Sequence, residues 1–114
     1  MTTQIWHNPR CSKSRQTLEL LKENGVEPEI ILYKDNAPSA ADIRTVLAAL
    51  GKAPLDLIRQ NDDAFKALGL EAADDDTLIK AMADYPAIIE RPVVRHEGAA
   101  ALGRPPEDVL KLFR

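Results

Sequence analysis

Apolar residues in the first third of the chain follow strand spacing, then helix spacing, then strand spacing again. Thr3 to Trp6 has the length of a short strand, and residues 29–33 contain the unbroken apolar run Ile30-Ile31-Leu32. Such a run is typical of a strand that is covered on both faces. Between the two strands, apolar positions from Thr17 to Leu21 recur at helical spacing, and Asn24-Gly25 is a typical helix end.

A second helix is predicted after these elements. Ser39 and Asp42 have the spacing of a capping box, and apolar positions from Ile43 to Leu50 continue at helical spacing up to Gly51. The order strand, helix, strand, helix predicts two parallel strands that are joined by a crossover helix.

The middle of the chain is predicted to form short helices. The three candidates are Pro54–Ile58, Asp63–Leu68 and Thr77–Ala83, the last capped by Asp75 or Asp76. Residues 62–76 are strongly acidic, which is typical of a solvent-exposed helical surface with acids at helix N-termini. We therefore expect a helical insertion over about residues 39–86.

Strand patterns return in the last quarter of the chain. The two candidates are Pro92-Val93-Val94 and Ala99–Leu102, with Glu97-Gly98 as the hairpin turn between them. Pro105-Pro106 then opens a last helix. The complete order predicts an α/β fold of the thioredoxin-like (glutaredoxin-like) class, with a mixed sheet and an inserted small helical region, in a single domain over residues 1–114.

The composition is that of an ordinary globular protein. Of the 114 residues, 45% are hydrophobic and 29% are charged, and no apolar run approaches the roughly 20 residues that span a bilayer. The N-terminus lacks the basic flank and apolar stretch of a signal peptide, and one cysteine cannot form an internal disulfide. We therefore expect a cytoplasmic protein with a free thiol.

The charge is divided unevenly along the chain. A net charge of −3 disfavours binding to nucleic acid and to membrane surfaces. Residues 1–15, however, contain Arg10, Lys13 and Arg15 and no acidic residue, a net +3, whereas the rest of the chain is net −6. All three bases lie within four residues of Cys11, so the positive charge is concentrated around the one thiol.

Cys11 lies where the first strand gives way to the first helix. The first turn of a helix has unpaired N–H groups and a partial positive charge, and both favour a thiolate. Arg10, Lys13, Arg15 and His7 add cationic or donor groups nearby. Together these features predict a thiol pKa well below the usual value of about 8.5 and a reactive nucleophile.

The spacing around Cys11 excludes several kinds of thiol chemistry. A phosphatase loop of the form Cys-x5-Arg needs an arginine where the chain has Thr17, and Ser14 excludes a Cys-x-x-Cys dithiol. No metal site is expected, because one cysteine and two distant histidines, His7 and His96, are too few ligands for zinc. What remains is a monothiol nucleophile that needs an external thiol to complete a redox cycle.

Three arginines from distant segments suit an anionic substrate. Arg59, Arg91 and Arg104 lie at or near the ends of predicted elements, on the loops expected to surround the Cys11 end of the fold. Guanidinium groups bind tetrahedral oxyanions well because they are permanently charged and donate through a planar fork.

The stretch from His7 to Arg15 resembles the active-site motif of the glutaredoxin-linked ArsC-type arsenate reductases. The resemblance covers nearly the whole chain, and its further motifs are at residues 25–28, 57–61, 89–94 and 103–107. It implies a thioredoxin-like fold with an inserted helical region. It also implies that Cys11 attacks arsenate, that glutathione displaces arsenite, and that glutaredoxin reduces the mixed disulfide of Cys11 with glutathione, with no bound cofactor.

The same resemblance implies roles for the residues around the thiol. The residues that would hold the oxyanion are Arg59, Arg91 and Arg104. His7 would help to lower the thiol pKa, and Ser14 and Arg15 would contact the thiolate or the bound anion. Pro92 falls where thioredoxin-like folds have a cis-proline beside the thiol.

Two other functions stay open at this point. Cys11-x-x-Ser14 also has the spacing of a glutathione-dependent monothiol oxidoreductase without arsenate activity, in which the three arginines have no use. The same superfamily includes Spx-type regulators that bind RNA polymerase, but those carry a Cys-x-x-Cys switch that Ser14 removes. The extra charges of Arg10 and Lys13 suit arsenate, another oxyanion or glutathione itself.

Overall fold

The computed structural model describes residues 2–113, which form two compact units. The first unit combines the residues before Ala37 with those after Glu90, and it contains the sheet. The second unit, Ala37–Glu90, contains short helices. The single domain over residues 1–114 with an insertion at about 39–86 stays a prediction.

The first unit is built on a four-stranded mixed sheet. Its strands are β1 (Thr3–Trp6), β2 (Glu29–Ile31), β3 (Val93–His96) and β4 (Ala99–Leu102), in the order β2-β1-β3-β4. The pair of β1 and β2 is parallel, as the strand-helix-strand pattern predicted, and the other two pairs are antiparallel. The mixed sheet confirms the predicted α/β class.

The prediction that the second strand is covered on both faces is wrong. β2 lies at the edge of the sheet and pairs only with β1. The side chain of Ile30 is 45% exposed and that of Leu32 is 38% exposed. An unbroken apolar run indicates full coverage only where other elements pack on both faces, and nothing in the run itself distinguishes an edge strand.

Helix α1 (Ser12–Glu23) crosses from β1 to β2 and has one buried face. Leu21 on this face joins Ile5, Val94 and Val109 in the core of the unit. The helix ends as predicted, with Asn24 at the C-cap and Gly25 at a positive φ of 78°. The core thereby fixes the orientation of α1 and of the residues at its start.

The last helix is a 3₁₀ helix and not an α-helix. It covers Pro106–Phe113, close to the predicted start at Pro105-Pro106, and its Val109 is fully buried. Two prolines at the start fix the backbone φ and remove N–H donors, and the helix packs on α1 and β4.

The three α-helices of the second unit start at residues whose side chains cap them. Its helices are α2 (Ala40–Leu50), α3 (Asp63–Ala67), α4 (Asp75–Asp84) and the 3₁₀ helices Pro54–Leu57 and Pro86–Ile88. The predicted capping box of Ser39 with Asp42 is present. The cap predicted at Asp75 or Asp76 is wrong, because Asp74 is the N-cap and accepts the Thr77 N–H at 2.8 Å. No helix among residues 2–113 has both the length and the apolarity needed to cross a membrane.

Gly103 follows β4 and packs against Thr17 of α1. Its N–H donates to the carbonyl of Pro92 at 3.0 Å. A Cβ at this position would lie 2.7 Å from Pro92 Cγ and closer still to Thr17 Oγ1. Glycine is therefore required here by close packing, and the contact ties the residue before Arg104 to the first helix.

Gly103→Ala is expected to lower the free energy of unfolding by about 1–3 kcal/mol, because the added methyl overpacks a closed contact. Denaturant unfolding measures this loss. Thr17→Ala opens space on the helix side, so the double variant is expected to lose less stability than the two single variants summed. Losses that simply add would contradict the contact.

Candidate active site

Cys11 is the N-cap residue of α1, and a short turn formed by Asn8 leads into it. Its backbone is extended, with φ −94° and ψ 123°. The Cys11 N–H donates to the Asn8 carbonyl at 3.0 Å, and the Arg10 N–H donates to Asn8 Oδ1 at 3.0 Å. The turn thus places the thiol at the start of the helix, as predicted. The side chain of Asn8 holds this loop, and the sequence carries no signal for that role beyond the turn preference of asparagine.

The environment of Cys11 favours the thiolate. Burial raises the pKa of the Cys11 thiol. The backbone N–H groups of Ser14 and Lys13 and the charges of Arg91 and Arg104 lower it. The net effect is a pKa below the usual value of a thiol. The side chain is 9% exposed. A nucleophile at low pKa, next to fixed N–H donors and positive charge, suits attack on an anion.

Arg104 lies near the Cys11 thiol. Its Nη2 is 4.0 Å from Cys11 Sγ, and its Nε donates to the carbonyl of Arg91 at 2.8 Å. The second bond holds the Arg104 guanidinium at the Arg91 carbonyl. The peptide bonds that precede Pro92 and Pro105 are both cis.

Ser14 links His7 to the loop. The Oγ of Ser14 accepts the Asn8 N–H at 3.0 Å and lies 2.7 Å from His7 Nδ1. Both side chains are buried. Burial, and then the charges of Arg15 and Lys22, lower the pKa of His7, so a neutral imidazole is favoured. The role of His7 in lowering the thiol pKa stays a prediction, and its observed contact with the loop runs through Ser14.

The two other predicted arginines have different surroundings. Arg15 Nη1 donates to the Pro9 carbonyl at 3.0 Å, which braces the loop before Cys11. Arg59 belongs to the second unit, where its Nη1 pairs with Asp62 Oδ2 at 3.0 Å. Contact of either residue with an anion stays a prediction. Residues 2–113 contain no cluster of three or more His, Cys, Asp or Glu side chains arranged to hold a metal ion.

Known proteins resemble this chain over nearly its whole length. The model of the ArsC family matches residues 6–112. The chain is 50% identical over 111 residues to the uncharacterized protein YfgD of Escherichia coli, covering 95% of this chain and 93% of that protein. It is 44% identical over 108 residues to an arsenate reductase of Neisseria meningitidis, covering 92% of each.

A solved structure shares the fold. The arsenate reductase from Vibrio cholerae superposes with a TM-score of 0.94 at 41% identity, covering 98% of each chain. The match confirms the predicted thioredoxin-like class.

Proposed function

The chain belongs to the ArsC family, and from that premise we propose that it is an arsenate reductase that uses glutathione and glutaredoxin. The observation that carries the proposal is the Cys11 thiol at the start of α1, with its pKa lowered by two backbone N–H groups and two arginines. Relatives at 44% and 41% identity are named arsenate reductases, and their similarity extends over nearly the whole chain.

The first step is capture and attack of arsenate. Arg91 and Arg104, with Arg59 as a third arginine, hold the oxyanion through charged N–H donors. The Cys11 thiolate attacks arsenic(V), a bond from Sγ to arsenic forms, and an arsenate oxygen leaves as water after it takes up protons. The N–H groups at the start of α1 and the nearby Ser14 and Arg15 stabilise the negative charge of this adduct.

The second step transfers two electrons. The thiolate of glutathione displaces a second oxygen of the arsenic as water, and its sulfur then bonds to Cys11 Sγ as both sulfur–arsenic bonds break. The arsenic gains two electrons, takes up one water and leaves as arsenite, and the product on the protein is a mixed disulfide. A second thiol, from glutaredoxin, takes the glutathione from Cys11 by thiol–disulfide exchange and returns the free thiolate.

The external thiols are needed because the chain has one cysteine. Neighbouring Ser14 cannot resolve a disulfide, so no intramolecular exchange restores Cys11. A free thiolate of this kind also needs a reducing compartment, which makes the cytoplasm the expected location. His7 supports the thiolate by holding Ser14, whose N–H faces the sulfur.

A coupled assay tests the proposal. Purified protein with glutathione, glutaredoxin, glutathione reductase and NADPH is expected to consume NADPH when arsenate is added. Sulfate in place of arsenate, or omission of glutaredoxin, is expected to leave only the background rate. The proposal fails if arsenate adds nothing to the NADPH consumption of the complete mixture.

The same mixture separates the function from a general monothiol oxidoreductase. In a parallel reaction a small mixed disulfide of glutathione replaces arsenate as the substrate, and glutaredoxin is left out because it would itself reduce that disulfide. An enzyme of that second kind reduces the disulfide rapidly and does not respond to arsenate. An arsenate reductase with the proposed site is expected to show the opposite order of rates.

A further inference from the structure

A cavity of about 380 Å³ lies beside the loop that leads into Cys11. One wall is formed by the loop from His7 to Arg10, and the other by Leu32, Lys34 and Asp35, which follow β2. The volume is within the range of small-molecule sites. None of the steps above uses this cavity or gives a role to Arg10.

The wall of the cavity carries two positive groups and one negative group. Arg10 and Lys34 supply the positive charges, and Asp35 supplies the negative one. Within residues 2–113, neither the Arg10 guanidinium nor the Lys34 ammonium takes part in an ion pair or a side-chain hydrogen bond. Both donors are therefore available to a ligand.

We propose that this cavity binds glutathione by its charged ends, with Arg10 and Lys34 on its two carboxylates and Asp35 on its ammonium. The inference rests on the proposed function, which supplies glutathione as the co-substrate. Glutathione with a protonated thiol has two carboxylates and one ammonium, which is the inverse of the charges on the wall. Each charge of the ligand thus finds one opposite charge in the cavity.

The negative charge of Asp35 argues against an inorganic oxyanion in the same place. A tetrahedral anion offers no positive group to Asp35 and is repelled by it. The γ-glutamyl end of glutathione has an ammonium and a carboxylate on one carbon. A positive and a negative side chain next to each other can bind both groups. The neighbouring Lys34 and Asp35 form such a cation–acid pair in the sequence.

One residue of the cavity wall, Arg10, is the chain neighbour of the reacting Cys11. Arg10 directly precedes Cys11, so their Cα atoms are about 3.8 Å apart. The glutathione sulfur is separated from the γ-glutamyl head by about two residue lengths, roughly 7 Å. A peptide anchored on Arg10 and Lys34 can therefore extend its thiol toward Cys11, while the partly exposed Leu32 contacts its methylene groups.

Binding of S-methylglutathione, which has no reactive thiol, tests the site without turnover. Titration of the labelled protein, followed by NMR, is expected to shift the backbone signals of Arg10, Leu32, Lys34 and Asp35. The double variant Arg10→Gln/Lys34→Gln is expected to weaken binding about 10-fold or more. The control variant Lys52→Gln/Lys111→Gln loses the same charge at exposed lysines that do not line the cavity, and it is expected to bind like the wild type.

Turnover provides a second readout. In the coupled assay, Arg10→Gln/Lys34→Gln is expected to raise the KM for glutathione about 10-fold and to change the KM for arsenate by much less. Asp35→Asn is expected to raise the KM for glutathione as well. With 2-mercaptoethanol, a thiol that has neither carboxylate nor ammonium, arsenite release is measured directly in place of NADPH consumption, and the variants are expected to differ from the wild type by much less than they do with glutathione.

The outcomes separate this inference from the proposed function. Shifts at the cavity without arsenate-dependent turnover would refute the arsenate reductase and support the glutathione site. Turnover with no shifts at the cavity, or with unchanged KM values in the variants, would overturn the glutathione site alone. Phosphate that displaces S-methylglutathione and binds more tightly to Asp35→Asn would identify an inorganic anion site and also overturn the inference.

Discussion

Replacement of Cys11 by serine is expected to abolish arsenate-dependent NADPH consumption, with a loss on the order of 10⁴-fold or more. A serine hydroxyl is not ionised under conditions where the Cys11 thiol is, because its pKa is far higher. It also forms no disulfide, so the two electrons that reduce arsenic have no source on the protein. The variant therefore lacks both the nucleophile and the redox step.

Two measurements connect that loss to the sulfur itself. After incubation with oxidised glutathione, mass spectrometry is expected to find one glutathione on the wild-type chain and none on Cys11→Ser, since the chain has one cysteine. Thermal unfolding of both proteins controls for misfolding, because the Cys11 side chain is buried. Arsenate-dependent turnover in a well-folded variant would mean that another group carries out the reaction.

Elements that depend on neighbouring residues were predicted well from the sequence. The start of α1 at Ser12 and its end at Asn24 follow from local turn and capping chemistry. The hairpin turn at Glu97-Gly98 has both residues at positive φ, 48° and 83°, as a two-residue hairpin favours. In these places a few consecutive residues contain the whole signal.

Features that depend on distant residues, or on a choice among equivalent residues, were not predictable from the sequence. The exposure of Ile30 depends on which elements pack against β2, and the apolar run does not indicate them. Asp74, Asp75 and Asp76 are chemically equivalent as caps, so only the structure identifies Asp74 by its bond to the Thr77 N–H. Sequence composition alone had no means to choose among three adjacent carboxylates.

The site was predicted in its residue types and only partly in its geometry. A thiol at a helix start with nearby bases was evident from the charge distribution around Cys11. The approach of Arg104 to the thiol depends on the order β2-β1-β3-β4, which brings together residues that are 93 positions apart. The bond from Arg104 Nε to the Arg91 carbonyl joins a side chain to a backbone atom. Because every residue has a backbone carbonyl, the sequence does not indicate which one accepts.

Two replacements of Arg104 are expected to distinguish the effect of its charge from the effect of its planar guanidinium. The positive charge of Arg104 lowers the pKa of the Cys11 thiol, so Arg104→Gln is expected to raise that pKa. Since the thiolate is the reactive form, the acidic limb of the pH–rate profile then moves to higher pH. Arg104→Lys retains the charge and is expected to keep the limb close to that of the wild type.

Both variants are expected to lose about 10²-fold in kcat/KM for arsenate, which is typical for loss of one oriented donor to a developing oxyanion. Lysine does not restore the rate because its point charge cannot both donate to the Arg91 carbonyl and present a planar fork to the anion. The rate of Cys11 alkylation as a function of pH measures the thiol pKa directly, without arsenate. If Arg104→Lys had full activity, charge alone would suffice at this position. If Arg104→Gln left the alkylation profile unchanged, the 4.0 Å approach of Nη2 to Sγ would have no electrostatic consequence.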